Sequence, residues 1–262
     1  MFDEKIGNEY MIFQNGSSEG TQVKFRKNNF WYKKDSQGNE GLAECLASGV
    51  LKYSNLKKNE FVEYEMGMIN GKSGCRSQNF LPNGWSVITF YRLYYNEFGK
   101  NLAEVIAGFD SMEERMEYVI RFVKQSCGLD VTDYLRKTLT LDMLILNEDR
   151  HLNNLAVIFA EDHFEIAPIF DNGISLLTAN KSVNWKFGLE DNVKRAIARP
   201  FCGSHEKMVG YLGIGLKIDY RRLYQWLTKV PESREKDVLC FQLDRYRKDL
   251  DGCSRRREEV RR

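Results

Sequence analysis

The tightest constraint on this chain lies between Val131 and Gly173, where a helical stripe, a polar loop and a hairpin pattern follow one another without a linker. Leu135, Leu139, Met143 and Leu146 recur on one face of a helix expected from about Val131 to Leu146. The polar run Asn147-Glu148-Asp149-Arg150-His151-Leu152-Asn153-Asn154 follows. Leu155–Phe159 and Phe164–Ala167 then read as paired strands across Glu161-Asp162-His163, leading to Ile169-Phe170-Asp171-Asn172-Gly173. A buried helix and a short hairpin make a rigid frame for polar groups on the loop between them. Phosphoryl transfer needs few such groups: one carboxylate for the attacking hydroxyl, and an amide oxygen plus a second carboxylate for magnesium. Asp149, Asn154 and Asp171 fit those three roles. Gly173 is expected to let the chain turn sharply past the metal.

Upstream, the first third reads as β-rich. Thr21–Lys27 alternates apolar with basic residues, Asn28-Asn29 is a turn signal, and Phe30-Trp31-Tyr32-Lys33-Lys34 is a return strand. The preceding loop, Asn15-Gly16-Ser17-Ser18-Glu19-Gly20-Thr21, offers backbone N–H groups and hydroxyls to phosphate oxygens, although ordinary turns use the same residues. Leu42, Cys45, Leu46, Val50 and Leu51 place an amphipathic helix over Glu40–Tyr53. Glu44 lies near its apolar stripe and, if buried, requires a cationic partner, for which Lys33 and Lys34 are the candidates. The alternative is a solvated Glu44 with both lysines facing water. Phe61–Tyr64 and Trp85–Phe90 read as further sheet, separated by turns at Gly67, Gly71, Gly74 and Pro82-Asn83-Gly84. Ser111 and Glu114 form a capping box for a helix that closes near Gly128. Lys181–Lys207 is poorly periodic and reads as a substrate-facing loop in which Arg195 and Arg199 could meet an anionic group; Leu212–Val230 and Val238–Leu250 resume helical patterns.

Composition narrows the partner. With 39 Lys plus Arg against 37 Asp plus Glu, the chain has no electrostatic case for a nucleic-acid or membrane surface. Six scattered cysteines without a C-x-x-C pair are expected as reduced thiols. A charged start without an apolar h-region, and no apolar window near membrane length, lead to a cytoplasmic expectation. Three histidines far apart do not form a zinc site, and His151 is expected to orient the loop rather than act as a base.

The segments Asn147–Asn154 and Pro168–Ser175 resemble the D-R-H-x-x-N and P-x-[YF]-D elements of the HipA-like serine/threonine kinases, particularly the shorter, CtkA-like members without an N-terminal appendage. Cys75–Leu81, Ala198–Phe201 and Gly203–His205 also resemble stretches of those members. The resemblance implies an α+β, two-lobed protein-kinase-like fold, with a small β-rich lobe over residues 1–95 and a larger, mainly helical lobe over 96–262. It implies ATP and Mg2+ in the cleft, Asp149 as catalytic base, Asn154 and Asp171 as metal ligands, and Glu44 as partner of a nucleotide-binding lysine. That lysine is assigned to Lys33, with Lys34 as the competing neighbour, because adjacent strand residues face opposite sides. Ser17, Ser18, Gly20 and Thr21 would line the phosphate loop. The expected partner is a protein bearing a serine or threonine acceptor, the chain itself included, and the resemblance brings in an antidote protein as a candidate partner. A small-molecule acceptor and a catalytically silent binding module are the competing readings.

Overall fold

Alternation and turn chemistry organise the N-terminal sheet. The computed structural model describes residues 1–12 and 22–251. In it, β1 (Phe2–Glu4), β2 (Met11–Ile12), β3 (Lys24–Lys27), β4 (Phe30–Lys34), β5 (Tyr64–Ile69) and β6 (Lys72–Gln78) form one sheet in the order β1-β5-β6-β4-β3-β2. β1 runs parallel to β5; the other neighbours are antiparallel. Asn28, at a positive φ of 56° that asparagine tolerates, closes the β3–β4 hairpin with Lys27 opposite Phe30 and Lys24 opposite Lys33. Phe2, Ile6, Phe25, Tyr32 and Ile69 pack together on the outer face. The opposite face carries Lys33, opposite Cys75, towards α1 (Glu40–Lys52).

The β5–β6 hairpin runs through glycines that the sequence reading treated as turns. Only Gly71 sits in a turn, beside Asn70; Gly67 and Gly74 lie inside strands. A Cβ on Gly74 would stand 2.2 Å from the Lys33 carbonyl oxygen, and one on Gly41 would stand 2.6 Å from the Gly74 carbonyl carbon. Gly67 and Gly74 therefore mark close approaches to neighbouring strands rather than chain reversal, and Gly41 marks the close approach of α1 to β6.

The second lobe contains β7 (Ser86–Thr89), α2 (Phe90–Phe98), α3 (Leu102–Ala107), α4 (Met112–Cys127), α5 (Thr132–Ile145), β8 (Ala156–Ala160), β9 (His163–Ile166), α6 (Leu189–Val193), α7 (His205–Leu212), α8 (Tyr220–Leu227), α9 (Arg234–Arg245) and α10 (Arg247–Leu250). Strand β7 pairs with β8 in a separate sheet of order β7-β8-β9, so the break between the two sheets falls after Gln78. The capping box of Ser111 and Glu114 opens α4, and Gly128 in the left-handed region closes it. Gly213, at φ 83°, ends α7, and the expected Leu212–Val230 helix forms only over Tyr220–Leu227.

At the centre of this lobe, α5 is buried along its whole second half. Thr138 and Thr140 tolerate that burial by donating to the carbonyls of Tyr134 and Arg136, 2.8 and 2.7 Å away. Each fully buried leucine of this helix contributes about 1.5–3 kcal/mol. The lobes are joined beneath α1: Val62 N donates to Ile169 O at 2.9 Å, Ile169 N donates to Glu60 O at 2.8 Å, and Lys137 pairs with Glu60 at 2.6 Å. The chain entering Asp171 is thus fixed to both lobes. Among the described residues no helix is long and apolar enough to cross a membrane.

Candidate active site

Strand β4 and helix α1 bring opposite charges together out of water. Lys33 Nζ donates to Glu44 Oε1 at 2.6 Å and to Asp171 Oδ1 at 2.7 Å, and it lies 5.1 Å from the Tyr64 ring centroid. Lys34 points to the other face, 5.5 Å from the Phe25 ring centroid, as the two-residue period of a strand requires. Glu44 is buried and also accepts from Asn172 N at 2.9 Å, which ties α1 to the residue after Asp171. Burial alone would lower the Lys33 pKa, but Asp171 and then Glu44 raise it well above the usual lysine value. For Asp171 burial works upward, and Lys33, Lys24 and Arg150 overcome it to hold the carboxyl well below its ordinary range. Burial pushes the Glu44 carboxyl up against the pull of Lys33. Lys33 is therefore charged and Asp171 ionised, with Glu44 carrying the cost of burial.

The polar loop after α5 is organised around Arg150, whose side chain is 0% exposed. Its Nε and Nη2 donate to both oxygens of the equally buried Asp142, at 3.0 and 2.9 Å; Nη1 reaches Phe170 O at 2.8 Å and Nη2 reaches Asn172 Oδ1 at 2.5 Å. One guanidinium thereby joins α5, the loop and the Asp171 segment. His205 Nε2 lies 2.9 Å from Asn147 O, and Asn147 Oδ1 accepts from Asp149 N at 2.9 Å. Leu146, Asp171, Leu176 and Leu177 all adopt positive φ, at 50°, 59°, 54° and 62°. Such strain costs about 1–3 kcal/mol per residue and gathers at sites whose surroundings over-determine the backbone.

Asp149 is left available by this scaffold. Its side chain is 43% exposed, and His151 Nε2 lies 3.8 Å from its Oδ2. Burial and the charge of Asp171 raise its pKa, against the opposing pull of His151, Arg199 and Arg150. His151 Nδ1 accepts from Asn153 N at 3.2 Å, so the ring orients the loop. Asn154 donates Nδ2 to Asp149 O at 3.0 Å. Among the described residues no group donates to its Oδ1. The Asn154 amide oxygen and the Asp171 carboxylate are hard oxygen donors of the kind magnesium takes when phosphates and water complete its shell. Asp171 already gathers cations, with Lys33 at 2.7 Å on one oxygen and Lys24 at 3.8 Å on the other. The donor set fits the metal.

Three participants escaped the sequence reading. Lys24 was legible in principle, because a two-residue turn at Asn28-Asn29 sets Lys24 opposite Lys33 on one face. Arg150 as a hub and Glu148, whose carboxylate accepts from Asn180 Nδ2 and Ile197 N, depend on contacts over long separations. Gly173 has an ordinary φ, and Asp171 itself makes the turn; the glycine admits α1, since a Cβ there would stand 3.3 Å from Glu40 Cβ. Ser17, Ser18, Gly20 and Thr21 lie outside the described residues.

No protein-family model and no curated protein matches this chain. Among solved structures, the Helicobacter pylori proinflammatory kinase CtkA is similar over 90% of each chain, with a TM-score of 0.64 and 18% sequence identity. The chain shares the α+β fold of that kinase, a β-rich sheet lobe joined to a helical lobe.

Proposed function

We propose that this chain is a protein kinase that moves the γ-phosphoryl group of ATP to a serine or threonine hydroxyl. The observation that carries the proposal is the pairing of buried Lys33 with buried Glu44 and half-buried Asp171, with half-buried Asp149 feeling the charge of Asp171. Lys33, held by Glu44, would contact the nucleotide phosphates, and Lys24 would add a second cation beside them. Asn154 and Asp171 would hold magnesium, which when bound neutralises charge on the triphosphate. Asp149 would orient the acceptor hydroxyl and take its proton as the new O–P bond forms and the bond to the ADP oxygen breaks. Its raised pKa suits that exchange, because a stronger base accepts the proton more readily. Ser17, Ser18, Gly20 and Thr21 remain the proposed phosphate loop. The likeness in fold to CtkA, a kinase, supports the same reading.

The test uses labelled ATP and magnesium, with mass spectrometry of the chain and of added proteins. Asp149→Asn is expected to cut transfer by at least a hundredfold, at the lower end for a general base, while nucleotide binding persists. Asp171→Ala is expected to abolish magnesium-dependent ATP use with the fold intact. Full turnover in Asp171→Ala would remove the metal assignment, and label on a small molecule alone would move the acceptor out of the protein class.

A further inference from the structure

The chain from Lys181 to Lys207 is pinned to the loop that carries Asp149. Asn180 Nδ2 and Ile197 N donate to the Glu148 carboxylate at 2.8 and 3.1 Å, one residue before Asp149. Arg199 follows two residues after Ile197, which the Glu148 carboxylate holds beside the Asp149 loop, and its positive charge opposes the rise in the Asp149 pKa. The segment holds six Lys and Arg residues against three carboxylates. All three carboxylates have partners: Glu190 and Asp191 pair with Lys194 at 3.3 and 3.9 Å, and Glu206 lies 3.6 Å from Arg245. Arg195 is also engaged, donating to Ser182 O at 3.0 Å and lying 5.7 Å from the Phe187 ring centroid. Lys181, Lys186, Lys207 and Arg199 are exposed, with no carboxylate within ion-pair distance among the described residues. Of these four cations, Arg199 is the one whose charge acts on the proposed base.

We infer that Arg199 receives a carboxylate next to the acceptor hydroxyl, making the substrate a polypeptide that is acidic around its phosphorylated residue. This rests on the kinase reading above and names the substrate class of that site. A free guanidinium suits the task, because its planar fork matches a carboxylate with two parallel N–H···O bonds. Apolar groups on the same segment favour a chain over a small anion. Ile197 is 63% and Phe187 51% exposed, and Trp185, Phe187 and Leu189 of this segment line a groove of about 490 Å³ together with Arg234, Asp237, Cys240 and Phe241 of the facing helix.

The experiment uses the full chain, labelled ATP and magnesium, and two peptides that differ only by Asp or Asn beside a single serine or threonine. The Asp peptide is expected to have a KM about tenfold lower, the size of one charge-assisted hydrogen bond. Arg199→Gln is expected to remove that ratio while leaving KM for ATP unchanged, and Arg199→Glu to turn the preference towards a Lys peptide. Equal use of both peptides by the wild type would overturn the assignment. So would an Arg199→Gln variant whose kcat falls equally on both, since the guanidinium would then serve the transferred phosphoryl group. Absence of transfer to any acceptor, including the chain itself, would overturn the kinase reading and this assignment together. Transfer without discrimination would overturn this assignment alone.

Discussion

Arg150 shows how one residue can couple distant parts of a site without touching substrate. Asp142 meets it with two oxygens inside α5, so its charge is matched, and its remaining donors satisfy Phe170 O and Asn172 Oδ1. Arg150→Met leaves a buried, unpaired Asp142 and is expected to cost about 3–5 kcal/mol, whereas the paired change Arg150→Met with Asp142→Leu should recover much of that loss. Urea midpoints measure both, and a single-variant loss under about 1 kcal/mol would contradict the hub account. Asp149 makes a second prediction at this scale. Its pKa is raised above the ordinary 3.8, chiefly by burial, and a base works only when deprotonated. The acid limb of kcat/KM is therefore expected above that value, with activity lost as pH falls through it. An unaltered limb in residual Asp149→Asn activity would assign it to another group.

Helix α1 and strand β6 act as one element because glycines let their backbones meet. Gly41→Ala would drive a methyl to 2.6 Å from the Gly74 carbonyl carbon, where the obstacle is backbone and cannot rotate away. The expected cost is about 1–3 kcal/mol, as for other overpacked positions. Displacement of α1 would also draw Glu44 from Lys33, so KM for ATP should rise; unchanged stability and KM would show that the helix seat is not set there. Other element boundaries were readable because local chemistry specifies them. Ser111 with Glu114 and the left-handed Gly128 bound α4, and Asn28-Asn29 turns β3 into β4. The β5–β6 hairpin was hidden, since glycine has the same local signature in a turn as at a close approach.

At the scale of the whole molecule, the proposed site draws on both lobes: Lys33 and Glu44 come from the sheet lobe, Asp149, Asn154 and Asp171 from the other. A nucleotide with magnesium that bridges them would bind only the folded state. At a hundredfold excess over Kd it is expected to stabilise the chain by about 2.7 kcal/mol. For a chain of this size that corresponds to a Tm rise of roughly 5–10 °C. Asp171→Ala should lose the magnesium-dependent part, and a wild type with no shift would favour a silent binding module. The sequence alone carried the α+β class, the major helices and the β3–β4 hairpin, and it put forward the set Asp149, Asn154 and Asp171, because periodicity, caps and motif spacing are local properties. It also narrowed the buried lysine to Lys33 or Lys34. Only the tertiary structure decided between them, set Lys24 beside Asp171, assigned β7 to the second sheet and left Arg199 with no carboxylate partner among the described residues. Those outcomes depend on strand register and on charges meeting across more than a hundred residues, where burial and ion pairing, rather than local propensity, select the arrangement.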